Sequence, residues 1–223
     1  MASNMTNINF IISILPTLFK GVVITLAIAF CSSVFGFIGG TLLAIAHSSK
    51  ISWLKTLVYI YVTVIRGTPM LLQIMFLYLL LPTIGIYISA FSTAVLAIGL
   101  NSSAYISQII RAGIKSVSKG QIEAAYTLGI GSYDLIRYII LPQALQTVIP
   151  ALGNEFITLI KDSSLASLIG VTELYMRGNI IISQTHNAIP VYITIGLLYL
   201  LLTTILSIII NKIENKMNSH ARS

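Results

Sequence analysis

Residues 21–46 read GVVITLAIAFCSSVFGFIGGTLLAIA and contain no charged side chain. A transmembrane helix needs about 20 apolar residues to cross the hydrocarbon core of a bilayer. This run is long enough for one spanning helix, which we expect to begin near Pro16. It is too long for the apolar region of a signal peptide and no basic segment precedes it, so we do not expect cleavage after Ala46.

Four further apolar runs have the length of a membrane span. They cover residues 56–81, 89–110, 138–160 and 190–211, and they carry two charged residues, Arg66 and Glu155. The whole chain of 223 residues is 56% hydrophobic and 9% charged, whereas a soluble domain carries about 25% charge. We therefore predict an all-α integral membrane protein with five transmembrane helices, forming a single domain over residues 1–223.

The basic residues are unevenly distributed between the loops. The chain has 13 Lys and Arg against 6 Asp and Glu, a net charge of +7. In a five-span topology Lys20, Lys161 and Arg177 lie on one side. The opposite side receives Lys50, Lys55, Arg111, Lys115, Lys119, Arg137, Lys212, Lys216 and Arg222. The positive-inside rule then places the N-terminus outside and the C-terminus in the cytoplasm. The basicity is explained by topology, so we expect no nucleic-acid partner.

The loop of residues 111–137 contains a predicted short helix. Ser116 or Ser118 is a suitable N-cap, and Gly129 suits the position that ends a helix. Ile122, Ala125, Tyr126 and Gly129 share one stripe of this helix. A helix this short needs a surface to dock against, which is either the lipid headgroups or a cytoplasmic partner.

The same loop carries a specific spacing of residues. Glu123-Ala124-Ala125, Gly129, Ile139 and Leu141-Pro142 fit the pattern EAA-x₃-G-x₉-I-x-L-P. The pattern resembles the loop of the permease subunits of binding-protein-dependent ATP-binding-cassette (ABC) importers. The chain departs from that family at Lys119, where members usually carry proline. Other stretches resemble the branch of histidine, glutamine, arginine and cystine permeases: residues 66–69 with Gln73, 101–105, 109–114, 142–144 and 152–156.

The resemblance implies a fold, and it implies that a separate subunit hydrolyses ATP. The fold would be the type I importer permease (MetI-like) fold, in the cytoplasmic membrane of a prokaryote. The EAA loop would couple the permease to a separate ATPase through Gln121, Glu123, Ala124, Ala125, Leu128 and Gly129. The chain has no GxxxxGK[ST] sequence, so we expect no enzyme activity and no cofactor in it, with ATP-Mg bound by the partner ATPase. Further expected partners are a second permease subunit, identical or similar, an extracytoplasmic amino-acid-binding protein, and membrane lipid.

Polar residues inside the spans are the candidates for a substrate path. A charge in the bilayer interior is costly, so such residues face protein or water. Arg66, Pro69 and Gln73 should share one helix face. The candidates are Arg66, Gln73, Asn101, Ser102, Ser103, Tyr105, Asn154, Glu155, Lys161 and Asp162. Together they could enclose a zwitterion, with cations or Asn and Ser donors on the carboxylate and Glu155 or Asp162 on the ammonium group.

Two alternatives are open at this point. Arg66 and Glu155 could satisfy each other or backbone carbonyls and serve only to join helices, or they could serve a secondary amino-acid transporter or channel. Smaller expectations concern packing and caps. Gly36 and Gly40 favour a close helix contact within the subunit, and Ser167 or Thr172 could cap a helix over residues 173–183. His47, His186 and His220 lack the spacing of a metal site.

Overall fold

The fold is helical throughout the part of the chain that the computed structural model describes, the backbone of residues 2–220 and the side chains of residues 8–217. Arg222 lies outside these described residues. The helices are α1 Ala2–Ser48, α2 Ser52–Gly67, α3 Met70–Thr83, α4 Ala90–Lys115, α5 Lys119–Thr127, α6 Ser132–Asp134, α7 Leu141–Asp162, α8 Leu174–Thr185 and α9 Ala188–His220. A π-helical turn, Leu135–Ile140, leads into α7, and a 3₁₀-helix, Ser163–Ile169, follows it.

The central packing contact joins α1 to α4 through glycines. A Cβ atom on Gly36 would lie 2.8 Å from the Cβ of Ser102, and one on Gly40 would lie 2.7 Å from the Cβ of Ile106. The Gly40 position also meets the carbonyl oxygen of Ser103 at 2.9 Å. Only glycine allows the two backbones to come this close. The prediction that Gly36 and Gly40 make a close helix contact within the subunit is confirmed.

The direction of α4 determines the number of spans. Contacting positions of α1 and α4 increase together along both helices, so the two helices run parallel. The chain between them must therefore cross the membrane once in return, and α2 with α3 makes that crossing. Four helical segments are each long and apolar enough to span: α1, α4, α9 and the continuous run Ser132–Ile169 that contains α7. The predicted total of five spans is confirmed.

The same directions place the basic loops on one side. α7 runs antiparallel to α4, because Gly113 contacts Val148 near one end and Ser102 bonds to Glu155 further along. His47 at the end of α1 lies within electrostatic reach of Lys55, Arg111 and Lys115. The connections after α1 and α4 therefore share one face of the bundle, as the positive-inside count assumes.

The second span is broken, which corrects the expectation of one continuous helix. α2 and α3 meet at an angle of 108°. Thr68 precedes proline and adopts an extended conformation (φ −117°, ψ 145°), which ends α2. Gln73 Nε2 donates to the carbonyl oxygen of Ile65 at 2.8 Å and to that of Thr68 at 3.2 Å. Gln73 thus satisfies carbonyls freed by the break, and the predicted single face of Arg66, Pro69 and Gln73 is wrong.

A buried carboxylate holds the segment between α7 and α9. Glu173 is fully buried and caps α8, accepting hydrogen bonds from the amides of Tyr175 (2.8 Å) and Met176 (2.7 Å) and from the Tyr199 hydroxyl (3.0 Å). Thr25 of α1 donates to the same carboxylate at 3.4 Å. Burial raises the pKa of Glu173, while these hydrogen bonds act in the opposite direction.

This cap corrects the sequence expectation for α8. Thr172 is exposed and Ser167 lies inside the 3₁₀-helix, so neither is the cap. The reason is tertiary: a carboxylate at the first position before the helix reaches two free amides, and α1 and α9 supply two hydroxyl donors that the local sequence does not reveal.

We expect Gly40→Ala to destabilise the subunit by about 1–3 kcal/mol, because the added methyl group overlaps Ile106 and the backbone of α4. Gly196→Ala in α9 is the matched control, since nothing lies within 4 Å of its Cβ position. The melting temperature of the purified protein in detergent measures the difference. Equal melting temperatures for the two variants would contradict the packing.

We expect Glu173→Ala to cost about 1–3 kcal/mol or more, because it leaves buried amides without an acceptor. Thr172→Ala, one residue earlier and exposed, should change the melting temperature little. The opposite ranking of the two variants would show that Thr172 caps the helix.

Candidate substrate path and coupling helix

Three consecutive polar residues of α4 reach three different helices. Asn101 Nδ2 donates to Gln73 Oε1 of α3 at 2.9 Å. The Ser103 hydroxyl lies 2.8 Å from the Tyr61 hydroxyl of α2, which itself donates to the carbonyl of Leu100 at 2.8 Å. Successive residues of an α-helix point about 100° apart, so neighbouring side chains face different partners. Asn101 and Ser103 therefore join α4 to the two halves of the broken span.

The middle residue, Ser102, connects α4 to α7. Its hydroxyl donates to Glu155 Oε1 at 2.9 Å. Glu155 is half-buried and opens into a pocket of about 240 Å³. The other lining residues of this pocket are mostly apolar: Ser33, Val34, Phe37 and Ile38 of α1, Ile106 of α4 and Leu152 of α7. Within the described residues no cation pairs with Glu155, so its carboxylate keeps acceptor capacity for an ammonium group.

The other predicted residues of α7 are spread around the helix. Asn154 and Lys161 are exposed, whereas Asp162, the last residue of α7, is half-buried. Asp162 follows Glu155 by two helical turns, about 10 Å along the axis. Glu155 and Asp162 therefore form an acidic line on one side of α7, while Asn154 and Lys161 point elsewhere.

Arg66 does not pair with Glu155. Its guanidinium carbon lies 5.1 Å from the centre of the Tyr105 ring, a cation–π contact. Within residues 8–217 it forms no ion pair. The alternative in which Arg66 and Glu155 only satisfy each other is wrong. Arg66 faces a second pocket, of about 450 Å³, between α2 and α4.

The predicted residues therefore form linked groups rather than one closed cavity. Gln73 and Asn101 meet at the helix break, Ser102 and Glu155 meet between α4 and α7, and Arg66 lies on Tyr105. Sequence reasoning missed Tyr61, which completes the group at Ser103. A phenol inside an apolar run was the available signal, because its hydroxyl needs a partner in the bilayer.

The loop helix α5 ends as its sequence predicts. Ser118 is the N-cap and accepts from the amide of Gln121 at 3.3 Å. Gly129 adopts a left-handed conformation, with φ of 71°. The amide of Gly129 donates to the carbonyl of Tyr126, and that of Ile130 donates to the carbonyl of Ala125, both at 3.0 Å. This is a Schellman motif, which a residue with a side chain adopts only with strain.

The outward face of α5 differs from the expected stripe. Ala125 is 2% exposed, and Ile122 is half-buried beside it on the same side. Leu128 is 79% exposed. The predicted coupling residues that lie on the surface are Gln121, Glu123, Ala124, Leu128 and Gly129. Ala125 is therefore out of reach of a partner, and the exposed residues are the ones available to it.

Comparison with known proteins agrees with this architecture. Residues 36–219 match the family model described as a binding-protein-dependent transport system inner membrane component. The arginine transport system permease protein ArtQ of Bacillus subtilis is 39% identical, with 92% of this chain and 94% of ArtQ aligned. The glutamine transport system permease protein GlnP of Escherichia coli K12 is 38% identical, over 91% and 94% of the two chains.

A solved structure gives the same result for the fold. A chain of a crystal structure described as an amino acid ABC transporter with histidines superposes with a TM-score of 0.88. It is 38% identical, and the match covers 92% of this chain and 96% of that chain. The expected fold of an importer permease is confirmed, and the chain belongs to the family of inner-membrane components of binding-protein-dependent transport systems.

Proposed function

We propose that this subunit is the permease of an ABC importer for polar amino acids. The observation that carries the proposal is the likeness over 92% of the chain to a solved amino-acid ABC transporter at 38% identity. Named relatives that are similarly close serve arginine and glutamine transport. The chain would form the translocation path and leave ATP hydrolysis, with bound ATP-Mg, to a partner ATPase.

The basic face of the bundle is the cytoplasmic one in this proposal. The connections after α1 and α4 share that face, and they hold six of the nine basic residues assigned to it from the sequence: Lys50, Lys55, Arg111, Lys115, Lys119 and Arg137. The positive-inside rule then puts the N-terminus outside and the C-terminus in the cytoplasm of a prokaryotic cell. α5 faces the cytoplasm, where an ATPase can reach it.

The break between α2 and α3 supplies donors for the carboxylate of the substrate. No side chain caps α3, and the first hydrogen bonds to Pro69 come from Leu72 and Gln73, which leaves the amides of Met70 and Leu71 free. Free amides and the helix dipole at a helix N-terminus favour an anion, and broken helices form substrate sites in other transporters. Glu155 and Asp162 would accept the ammonium group.

A second permease subunit follows from the exposure of polar groups. Glu155 opens into a pocket at the surface of the subunit, and Asn154 is exposed on the same span. Such groups do not face lipid, because the bilayer cannot satisfy them. We infer that a second copy or a similar permease covers this side, and that a separate amino-acid-binding protein delivers substrate to the outer face.

We expect Glu155→Gln and Asp162→Asn to reduce uptake about tenfold or more, because each removes a charge that would hold the ammonium group. Asn101→Ala should also reduce uptake, since it frees Gln73 at the break. Uptake of labelled L-arginine and L-glutamine by cells expressing the complete transporter is the measurement, with Glu214→Gln of α9 as the acidic control. Normal uptake kinetics in all three variants would remove these residues from the path.

We expect Gly129→Ala to uncouple the subunit from its ATPase, because a Cβ atom strains the left-handed turn that ends α5. Gly131→Ala is the matched control: its φ is −65° and nothing lies within 4 Å of its Cβ position. The measurement is uptake per ATP hydrolysed, together with ATPase co-purification. Wild-type coupling in Gly129→Ala would contradict a docking role for α5.

A charge reversal tests the exposed face of α5 without straining its backbone. Glu123 is exposed, so Glu123→Lys should leave the melting temperature unchanged while reducing co-purification of the ATPase. Asp134→Lys, exposed in the same loop outside α5, is the control. Equal recovery of the ATPase with both variants would place the docking surface elsewhere.

A further inference from the structure

The pocket between α2 and α4 is lined by positively charged side chains. It has a volume of about 450 Å³, within the range of small-molecule sites. α4 contributes Gln108 and Arg111. α2 contributes Val58, Tyr59, Val62, Thr63, Arg66 and Gly67. Two guanidinium groups therefore line the pocket, and no acidic side chain does.

Neither arginine is neutralised within the described part of the chain. Arg66 lies over the face of the Tyr105 ring, and Arg111 Nη1 donates to Gln108 Oε1 at 3.4 Å. The side chain of Gln108 offers its amide hydrogens as well, so the pocket presents donors from both helices. Two like charges that line one pocket repel each other, and an entering anion relieves that repulsion.

The depth of Arg66 separates a small solute from a lipid headgroup. Arg66 follows the first residue of α2, Ser52, by 14 residues, which is about 21 Å of helix. Lipid phosphates lie at the membrane surface, outside a hydrocarbon core of about 30 Å. A headgroup phosphate level with Ser52 would therefore lie about 21 Å along α2 from Arg66, and a free amino acid fits this end of the pocket better. Arg66 also lies two residues before Thr68, at the end of α2, where the chain breaks ahead of the free amides of α3.

We propose that the pocket of Arg66 and Arg111 is a second binding site for the α-carboxylate of the transported amino acid, on the cytoplasmic side of the helix break. Guanidinium groups bind carboxylates through two parallel hydrogen bonds, which fits this ligand. The carboxylate leaves the amides of α3 and contacts Arg66 beside Tyr105. It then moves toward Arg111, six residues and about 9 Å further along α4. This inference rests on the proposed transport of amino acids and assigns the inner part of the path.

The test measures binding to the purified permease–ATPase complex without binding protein and without nucleotide. The probes are labelled L-arginine and L-glutamine, and the competitors are the same amino acids and their α-carboxamides, which lack the carboxylate. The wild-type complex should prefer the acid to the amide. Arg66→Gln and Arg111→Gln should each weaken binding about tenfold or more and reduce that preference. Arg111→Lys, which keeps the charge, should retain part of the binding.

Lys212→Gln in α9 is the control, since it removes an exposed cation that does not line the pocket. Melting temperatures check that all variants fold. Unchanged binding and acid preference in Arg66→Gln and Arg111→Gln would overturn the proposal. It would also be overturned if, in nanodiscs with and without phosphatidylglycerol, Arg111→Gln altered only the response to this lipid. Failure of the wild-type complex to take up any amino acid would instead reject the proposed function.

Discussion

Polar groups inside a bilayer must find partners within the protein, and α4 is where this subunit meets that constraint. Asn101, Ser102 and Ser103 point to three sides and bond to α3, α7 and α2 in turn. Glycines of α1 let that helix lie directly on α4. Because α4 packs against α1, α2, α3 and α7, its position determines where many of the other polar residues lie.

The broken second span depends on the same bonds. Pro69 interrupts the helix and frees carbonyls, which would be costly in a hydrocarbon environment. Gln73 covers two of them, and Asn101 holds Gln73 in place from α4. The break therefore costs little while it exposes the first amides of α3. A site for a carboxylate arises at a point where the chain already needs polar side chains for its own stability.

Features set by local sequence could be predicted, and features set by tertiary contacts could not. The number of spans, the Ser118 cap and the left-handed Gly129 follow from composition and short-range spacing, and all three are confirmed. The cap at Glu173 was missed because Thr25 and Tyr199, distant in sequence, complete it. The turn of 108° at Pro69 was not predicted, because the sequence shows where a proline lies and not the direction of the helix that follows it.

In the candidate substrate path, too, the sequence identifies the polar residues, whereas tertiary packing determines what they contact. The sequence identified Arg66 and Glu155 as exceptional, since few charges occur inside the spans. It did not reveal that Glu155 faces Ser102 and α1 while Arg66 lies on Tyr105, because helix rotation depends on packing. Arg111 belonged to the loop count from sequence alone, and only the structure places it in a pocket with Arg66.

The most direct measurement is ATP hydrolysis by the purified complex of this subunit, its ATPase and its binding protein, with a panel of amino acids. The account predicts that one polar amino acid or a small group of them, presented on the binding protein, stimulates hydrolysis and is transported in proportion. Hydrolysis that no amino acid changes, in a complex that is intact and active toward another class of solute, would contradict it.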